Sequence, residues 1–170
     1  MIGTWAGKGQ TMATFIRTAV IDRPASEVWA VLEDVRRLPE FSRSTEEISG
    51  APERLTSPGQ TFHQVVRQIG RRFESEWTVL ELEAGRRLVI EGSVGFGVTY
   101  RLTEDVTERS PASCEFSLTV DYTLPFGPLG RLASKLGVEK LAEREAGEVV
   151  TGLKALVEAE AAPGGRGPSG

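Results

Sequence analysis

The segment Ile21-Asp22-Arg23-Pro24-Ala25-Ser26-Glu27-Val28-Trp29-Ala30-Val31-Leu32-Glu33-Asp34 turns an alternating strand directly into a helix with no loop between them. Asp22 is placed to cap that helix, Pro24 has its φ preset for a first turn, and Glu27 puts negative charge near the positive end of the helix dipole. Val28, Val31, Leu32 and Val35 then share one helical face. Hydrophobic period predicts a strand at 13–22, a helix at 24–34, a short second helix at 35–41, and strands near 43–50, 60–69, 72–83, 87–92, 97–107 and 113–124. A long helix over 128–159 completes the pattern, with Gly137 as a kink or cap between two helical segments. Gly70, Ala84-Gly85, Gly95 and Ser110-Pro111 stand where the turns of a meander would fall. Successive antiparallel strands cannot leave an apolar face wet, and one long helix is available to cover it. The expected class is α+β, a curved antiparallel sheet of about seven strands around a long C-terminal helix, with two short helices after the first strand.

At 170 residues, 39% hydrophobic and 26% charged, the chain suits one core and one domain, placed at 13–160. Residues 1–12 read as a flexible arm or as sequence ahead of an internal start at Met12. Residues 161–170, Ala-Ala-Pro-Gly-Gly-Arg-Gly-Pro-Ser-Gly, read as a disordered tail. A net charge of -4, with no run of lysine and arginine interleaved with aromatics, argues against a nucleic-acid partner. The lone Cys114 has no internal disulfide partner. No basic segment leads into an apolar leader, so the expected location is cytoplasmic. No apolar run approaches the ~20 residues of a transmembrane helix, although one helical face could still touch a membrane surface.

The Ile-Asp-x-Pro-x-x-x-Val-Trp junction at 21–29 is accompanied by Gly59-x-x-Phe62, by Leu80-Glu81-Leu82-Glu83-Ala84-Gly85-Arg86-Arg87-Leu88 across a turn, and by Tyr100-Arg101-Leu102. In order and spacing these resemble the SRPBCC superfamily, also called START-like or Bet v 1-like, and in particular its polyketide cyclase/dehydrase-type branch. The resemblance spans residues 13–159. It implies a helix-grip fold with a ligand cavity between sheet and helix, and it carries no catalytic signature.

Alternate residues of a strand share a face. Phe73, Ser75, Trp77 and Val79 should therefore point inward on the fourth strand, and Phe62, Gln64 and Val66 on the third. Val98, Tyr100 and Leu102 should do so on the sixth, and Phe116, Leu118, Val120 and Tyr122 on the seventh. Arg17 shares parity with Phe15, Ala19 and Ile21, near the interior unless it snorkels. The long helix is lean by comparison. Leu129, Leu132, Ala133, Leu136, Leu141, Val149, Leu153 and Leu156 form its stripe, which Arg144, Glu145, Gly147 and Gly152 interrupt. Either the two glycines leave room for a ligand or they let the sheet approach closely.

Candidate ligand-binding residues are thus Phe62, Gln64, Phe73, Trp77, Phe96, Tyr100, Phe116, Leu118, Tyr122, Leu141, Glu145 and Val149, with Phe96 a plug in a glycine-rich lip. Tyr100, Tyr122, Arg144 and Gln64, with Arg17 behind them, are the candidates for chemistry. Arg144 and Glu145 also read as a solvated helix face, and the tyrosines and Trp77 as core aromatics. A single histidine, His63, argues against a metal, and no cofactor is expected. His63 has outward parity. The pairs Glu46-Glu47, Glu74 with Glu76 and Glu81 with Glu83 read as a wet face, and Cys114 as a buried or edge thiol. Three functions remain. One is binding of a hydrophobic small molecule such as a polyketide, lipid or isoprenoid. Another is a cofactor-independent polyketide cyclase/dehydratase that shapes a reactive polyketone in the same cavity. The last is a stress or toxin-type module acting on protein partners through an exposed apolar patch. A monomer or homodimer suits all three.

Overall fold

A computed structural model of the chain describes residues 12–95, 97–135 and 137–160. Residues 1–11 of the expected arm, the expected tail, Phe96 and Leu136 lie outside the described residues, as does the side chain of Leu129, whereas Met12, placed in the arm by the sequence, is the first residue of a strand and pairs with Thr123. Strands β1 (Met12–Ile21), β2 (Thr45–Ser49), β3 (Thr61–Gln68), β4 (Arg71–Glu83), β5 (Arg87–Val94), β6 (Val98–Ser110) and β7 (Ser113–Thr123) form one antiparallel sheet. Its spatial order is β1-β7-β6-β5-β4-β3-β2, so only the first strand leaves its sequence neighbours to pair with the last. Helix α1 (Ala25–Leu32) and a 3₁₀ helix at Val35–Glu40 follow β1, and helices α2 (Gly127–Lys135) and α3 (Val138–Glu160) close the chain. This is the α+β helix-grip arrangement that the element pattern leads one to expect.

The junction after β1 forms as a direct passage from strand to helix, but its cap differs from expectation. Pro24, at φ -56°, occupies the N-cap of α1, and no side chain caps the helix. The backbone N–H of Asp22 instead donates to the Glu158 carboxylate of α3, 3.0 Å away, which ties the junction to the C-terminal helix. The first turn is held by burial. Val28, Trp29, Val31 and Leu32 are all buried, each worth about 1.5–3 kcal/mol when fully removed from water. In the 3₁₀ helix, Asp34 accepts from the backbone N–H of Arg36, and the Arg36 guanidinium holds its carboxyl below the usual carboxylate range.

Parity survives in most strands. On β7 the residues Phe116, Leu118, Val120 and Tyr122 are all buried, and on β3 so are Phe62, Gln64 and Val66. On β4 it holds as far as Val79. A register shift between Val79 and Glu81 then makes Leu82 the residue that packs on the core and leaves Glu81 outside; a bulge adds one residue to one strand and reverses its alternation. Arg17 keeps inner parity but snorkels. Its guanidinium lies 5.3 Å from the Phe15 ring centre and pairs with Glu143 of α3 at 3.2 Å.

The expected long helix is divided. α2 ends at Lys135 and α3 begins at Val138, with Gly137 between them at φ +71°, a conformation that costs glycine little. Among the described residues no helix is long and apolar enough to cross a membrane.

Candidate functional site

The sheet curves away from α3 over part of its inner face and leaves a cavity. About 150 Å³ of it is accessible to the centres of water-sized molecules, roughly ten times the 10–15 Å³ that a single water requires. α3 forms the roof with Val138, Leu141, Ala142, Glu145, Ala146 and Val149. Strands β3 to β7 form the floor, and Val31, Leu32, Val35 and Leu38 close one end. At the other end Ile69, 57% exposed, and Gly95 stand at the tips of two hairpins. Ile69 has φ +51°, unusual for a β-branched residue.

Small residues on α3 create part of this space, but they are Ala142 and Ala146. Neither glycine lines the cavity. A Cβ on Gly152 would come within 2.4 Å of the Phe41 carbonyl oxygen, so this glycine lets two backbones touch. Around Gly147 nothing lies within 4 Å. The alternative of close approach is therefore the correct one for Gly152, and the expectation of ligand room at these two positions is corrected.

Of the candidate residues, Phe62, Gln64, Phe73, Trp77, Tyr100, Leu118, Leu141, Glu145 and Val149 line the cavity. Phe116 and Tyr122 point inward as parity requires, yet both lie in packed core. Phe116 is fully buried, and Tyr122 sits with Val98, Ala133 and Val138 in a second cluster. The Tyr122 hydroxyl bonds the Glu139 carboxylate, and burial raises its pKa. Arg144 faces solvent. Its side chain is 72% exposed and pairs with Glu148 one turn along at 3.3 Å. Its neighbour Glu145 turns inward and accepts from Gln68 Nε2 at 2.6 Å.

The polar groups on the cavity fall into three sets. Gln64 belongs to a closed hydrogen-bond chain. Its Nε2 donates to Thr45 Oγ1 at 2.7 Å, Thr45 donates to Ser42 Oγ at 2.8 Å, and Trp77 Nε1 donates to Gln64 Oε1 at 2.8 Å and to Ser75 Oγ at 3.1 Å. Gly92 makes this geometry accessible, since a Cβ there would come within 2.8 Å of the Trp77 ring. The second set is Tyr100 with Glu145. Burial raises both pKa values, and the nearby Glu145 charge adds to the Tyr100 shift. Tyr100 therefore stays a hydroxyl donor across the ordinary pH range. The third is Glu104, which the sequence reading passed over although it continues the inward series of Val98, Tyr100 and Leu102. It is 8% exposed and lines the cavity. Burial raises its pKa to about 7.

His63 lies outside on β3, 3.4 Å from Glu76 across the sheet. Cys114 is buried on β7, and burial raises its thiol pKa. Among the described residues no group of three or more histidine, cysteine, aspartate or glutamate side chains is arranged to hold a metal ion.

The family model described as polyketide cyclase / dehydrase and lipid transport matches residues 12–158. No curated protein matches the sequence significantly. Among solved structures, the Zhui aromatase/cyclase of a Streptomyces species superposes with a TM-score of 0.78 at 18% identity, over 91% of this chain and 99% of that one. A START superfamily protein from Mycobacterium smegmatis gives 0.63 at 13% identity, over 86% and 98%. The di-domain ARO/CYC BexL gives 0.66 at 19% identity, over 89% of this chain and 48% of that one. At these identities the structural likenesses establish the fold.

Proposed function

The chain belongs to the polyketide cyclase / dehydrase and lipid transport family, and on that premise we propose that it binds a hydrophobic small molecule, of polyketide, lipid or isoprenoid type, in the cavity under α3. The observation that carries this reading is the lining itself. Aliphatic and aromatic walls from β3 to β7, α1 and α3 surround a small number of directed polar groups, the usual composition of a small-molecule site. A solid core would have filled this volume, because unfilled apolar space costs packing energy.

A second reading is supported by the polar groups at the open part of the cavity. Tyr100 remains protonated beside Glu145, a donor suited to an oxygen on which negative charge develops when a polyketone enolises. Confinement of a flexible chain in a reactive shape supplies the remainder of a cyclase or dehydratase mechanism, and no cofactor is required.

Native mass spectrometry of untagged protein, followed by melting-temperature shifts with aromatic polyketide, fatty-acyl and isoprenoid compounds, tests the first reading. Saturation at about 100 times Kd adds about 2.7 kcal/mol and should raise Tm by about 5–10 °C. Protein that is empty and indifferent to every class would overturn it. Binding of a polyketone with turnover would move the second reading ahead of the first.

A further inference from the structure

Glu104 has no function in the site described so far. No hydrogen bond or ion pair joins its carboxyl to any described residue. It is more than nine-tenths buried, and the cavity it lines takes up what exposure remains. A carboxyl removed from bulk water without a partner costs stability, and since no fully buried side-chain polar atom among the described residues lacks a partner, the Glu104 oxygens open onto the cavity.

Its surroundings define what it can recognise. Leu88 of β5 and Leu118 of β7 are its register neighbours, and Val31 and Leu32 of α1 line the same closed end. Most charged groups on the surrounding elements are engaged elsewhere, and Glu108 of β6 and Lys140 of α3, which are not, are exposed to solvent. Glu27 and Glu33, on and just after α1, pair with Arg23 and Arg54. Arg87 and Glu91 of β5 pair with Asp105 and Arg101 of β6, and Glu115 of β7 pairs with Arg109 of β6. Asp121 of β7 accepts from Thr14. On α3, Glu143 and Glu148 pair with Arg17 and Arg144, Lys154 pairs with Glu158, and Glu145 is held by Gln68. The other titratable groups lining the cavity, Tyr100 and Glu145, do not contribute to the state of Glu104, which is governed by burial. Tyr100 lies four residues along the same strand face, about 13 Å away at the usual rise.

We propose that Glu104 is the ligand-reading group of the closed end, a carboxylic acid that donates one hydrogen bond to the carbonyl oxygen of an otherwise apolar molecule. This inference rests on the small-molecule reading of the cavity. A carbonyl needs a single donor. An ammonium brings a full charge and three N–H groups into a largely apolar cavity, where leaving bulk water costs it far more than it costs a neutral carbonyl. The ligand class is therefore an apolar ketone or related carbonyl compound that enters carbonyl first.

Three probes of nearly equal shape test this by calorimetry on the full chain: methyl naphthyl ketone, isopropylnaphthalene and naphthylethylammonium. At about pH 6 the ketone should bind about three- to tenfold more tightly than the hydrocarbon, the equivalent of one net hydrogen bond. Ketone affinity should fall about tenfold per pH unit above about pH 7, with proton uptake on binding. Glu104→Gln, which retains an N–H donor, should keep the ketone preference and lose the pH dependence; Glu104→Leu should lose both. Equal affinity of wild-type protein for ketone and hydrocarbon would overturn the role of Glu104 and leave the cavity reading intact. Tightest binding of the ammonium would overturn the carbonyl assignment. Failure of all three probes to bind would overturn this proposal, while the cavity reading itself stands or falls on the melting-temperature series with polyketide, fatty-acyl and isoprenoid compounds.

Discussion

Gln64 and Glu104 both stand on the inner face of the sheet, both are more than nine-tenths buried, and both line the same cavity. Gln64 is enclosed by Thr45, Trp77 and Ser75, with its amide oxygen and nitrogen both used. Glu104 stands between leucines with nothing to bond. The difference separates two roles that look alike in sequence. A buried polar group whose partners come from the protein stabilises the wall, while one left open stores a cost that a ligand can relieve.

The largest test of that contrast is Glu104→Gln. The folded state holds the Glu104 proton up to about pH 7, whereas the unfolded chain releases it near its ordinary value of about 4.3. The folded state therefore binds more protons between these limits, and stability falls as pH rises through the window. Glu104→Gln should gain on the order of 3 kcal/mol at about pH 8 and little at about pH 4. Urea unfolding at both values reads this directly, and an equal effect at both would break the comparison. Gln64→Leu should behave in the opposite way, losing about 1–2 kcal/mol at both pH values. Thr45 keeps Ser42 and Trp77 keeps Ser75, which limits the loss.

A second contrast between filled and open surface runs along α3. Gly152→Ala should destabilise by about 1–3 kcal/mol as its methyl meets the Phe41 backbone. Gly147→Ala should stabilise by about 0.5–1 kcal/mol through helix propensity alone. Equal effects in thermal unfolding would show that the helix does not approach the 3₁₀ segment closely. The smallest effect belongs to Arg144→Ala, expected within about 0.5 kcal/mol because its partner is an exposed one-turn neighbour. A loss of ligand affinity in that variant would contradict its placement on the solvent face.

Much of this was legible in the residues. Period-2 alternation assigned the inner faces of β3 and β7, as well as β4 up to its bulge, because a pleated strand has no other way to orient successive side chains. The Ile21–Val28 junction, with the element order after it, specified the helix-grip arrangement. Glu104 was available to the same rule and was missed because a glutamate was not expected to continue an apolar series.

Other outcomes had no local signal. Phe116 and Trp77 share inward parity, and only the curvature of the sheet leaves one in packed core and the other on a void. Arg144 and Glu145 are adjacent on one helix, and the rotation of α3 against the sheet sends one to solvent and the other inward. Gly152 and Gly147 are the same residue five positions apart, and the path of the Phe41 backbone makes one of them a contact point. The alternation of residues along the chain decides which face each strand side chain takes. The distances between faces arise from the assembled sheet and helices, and those distances determine which polar groups are satisfied and which wait for a ligand.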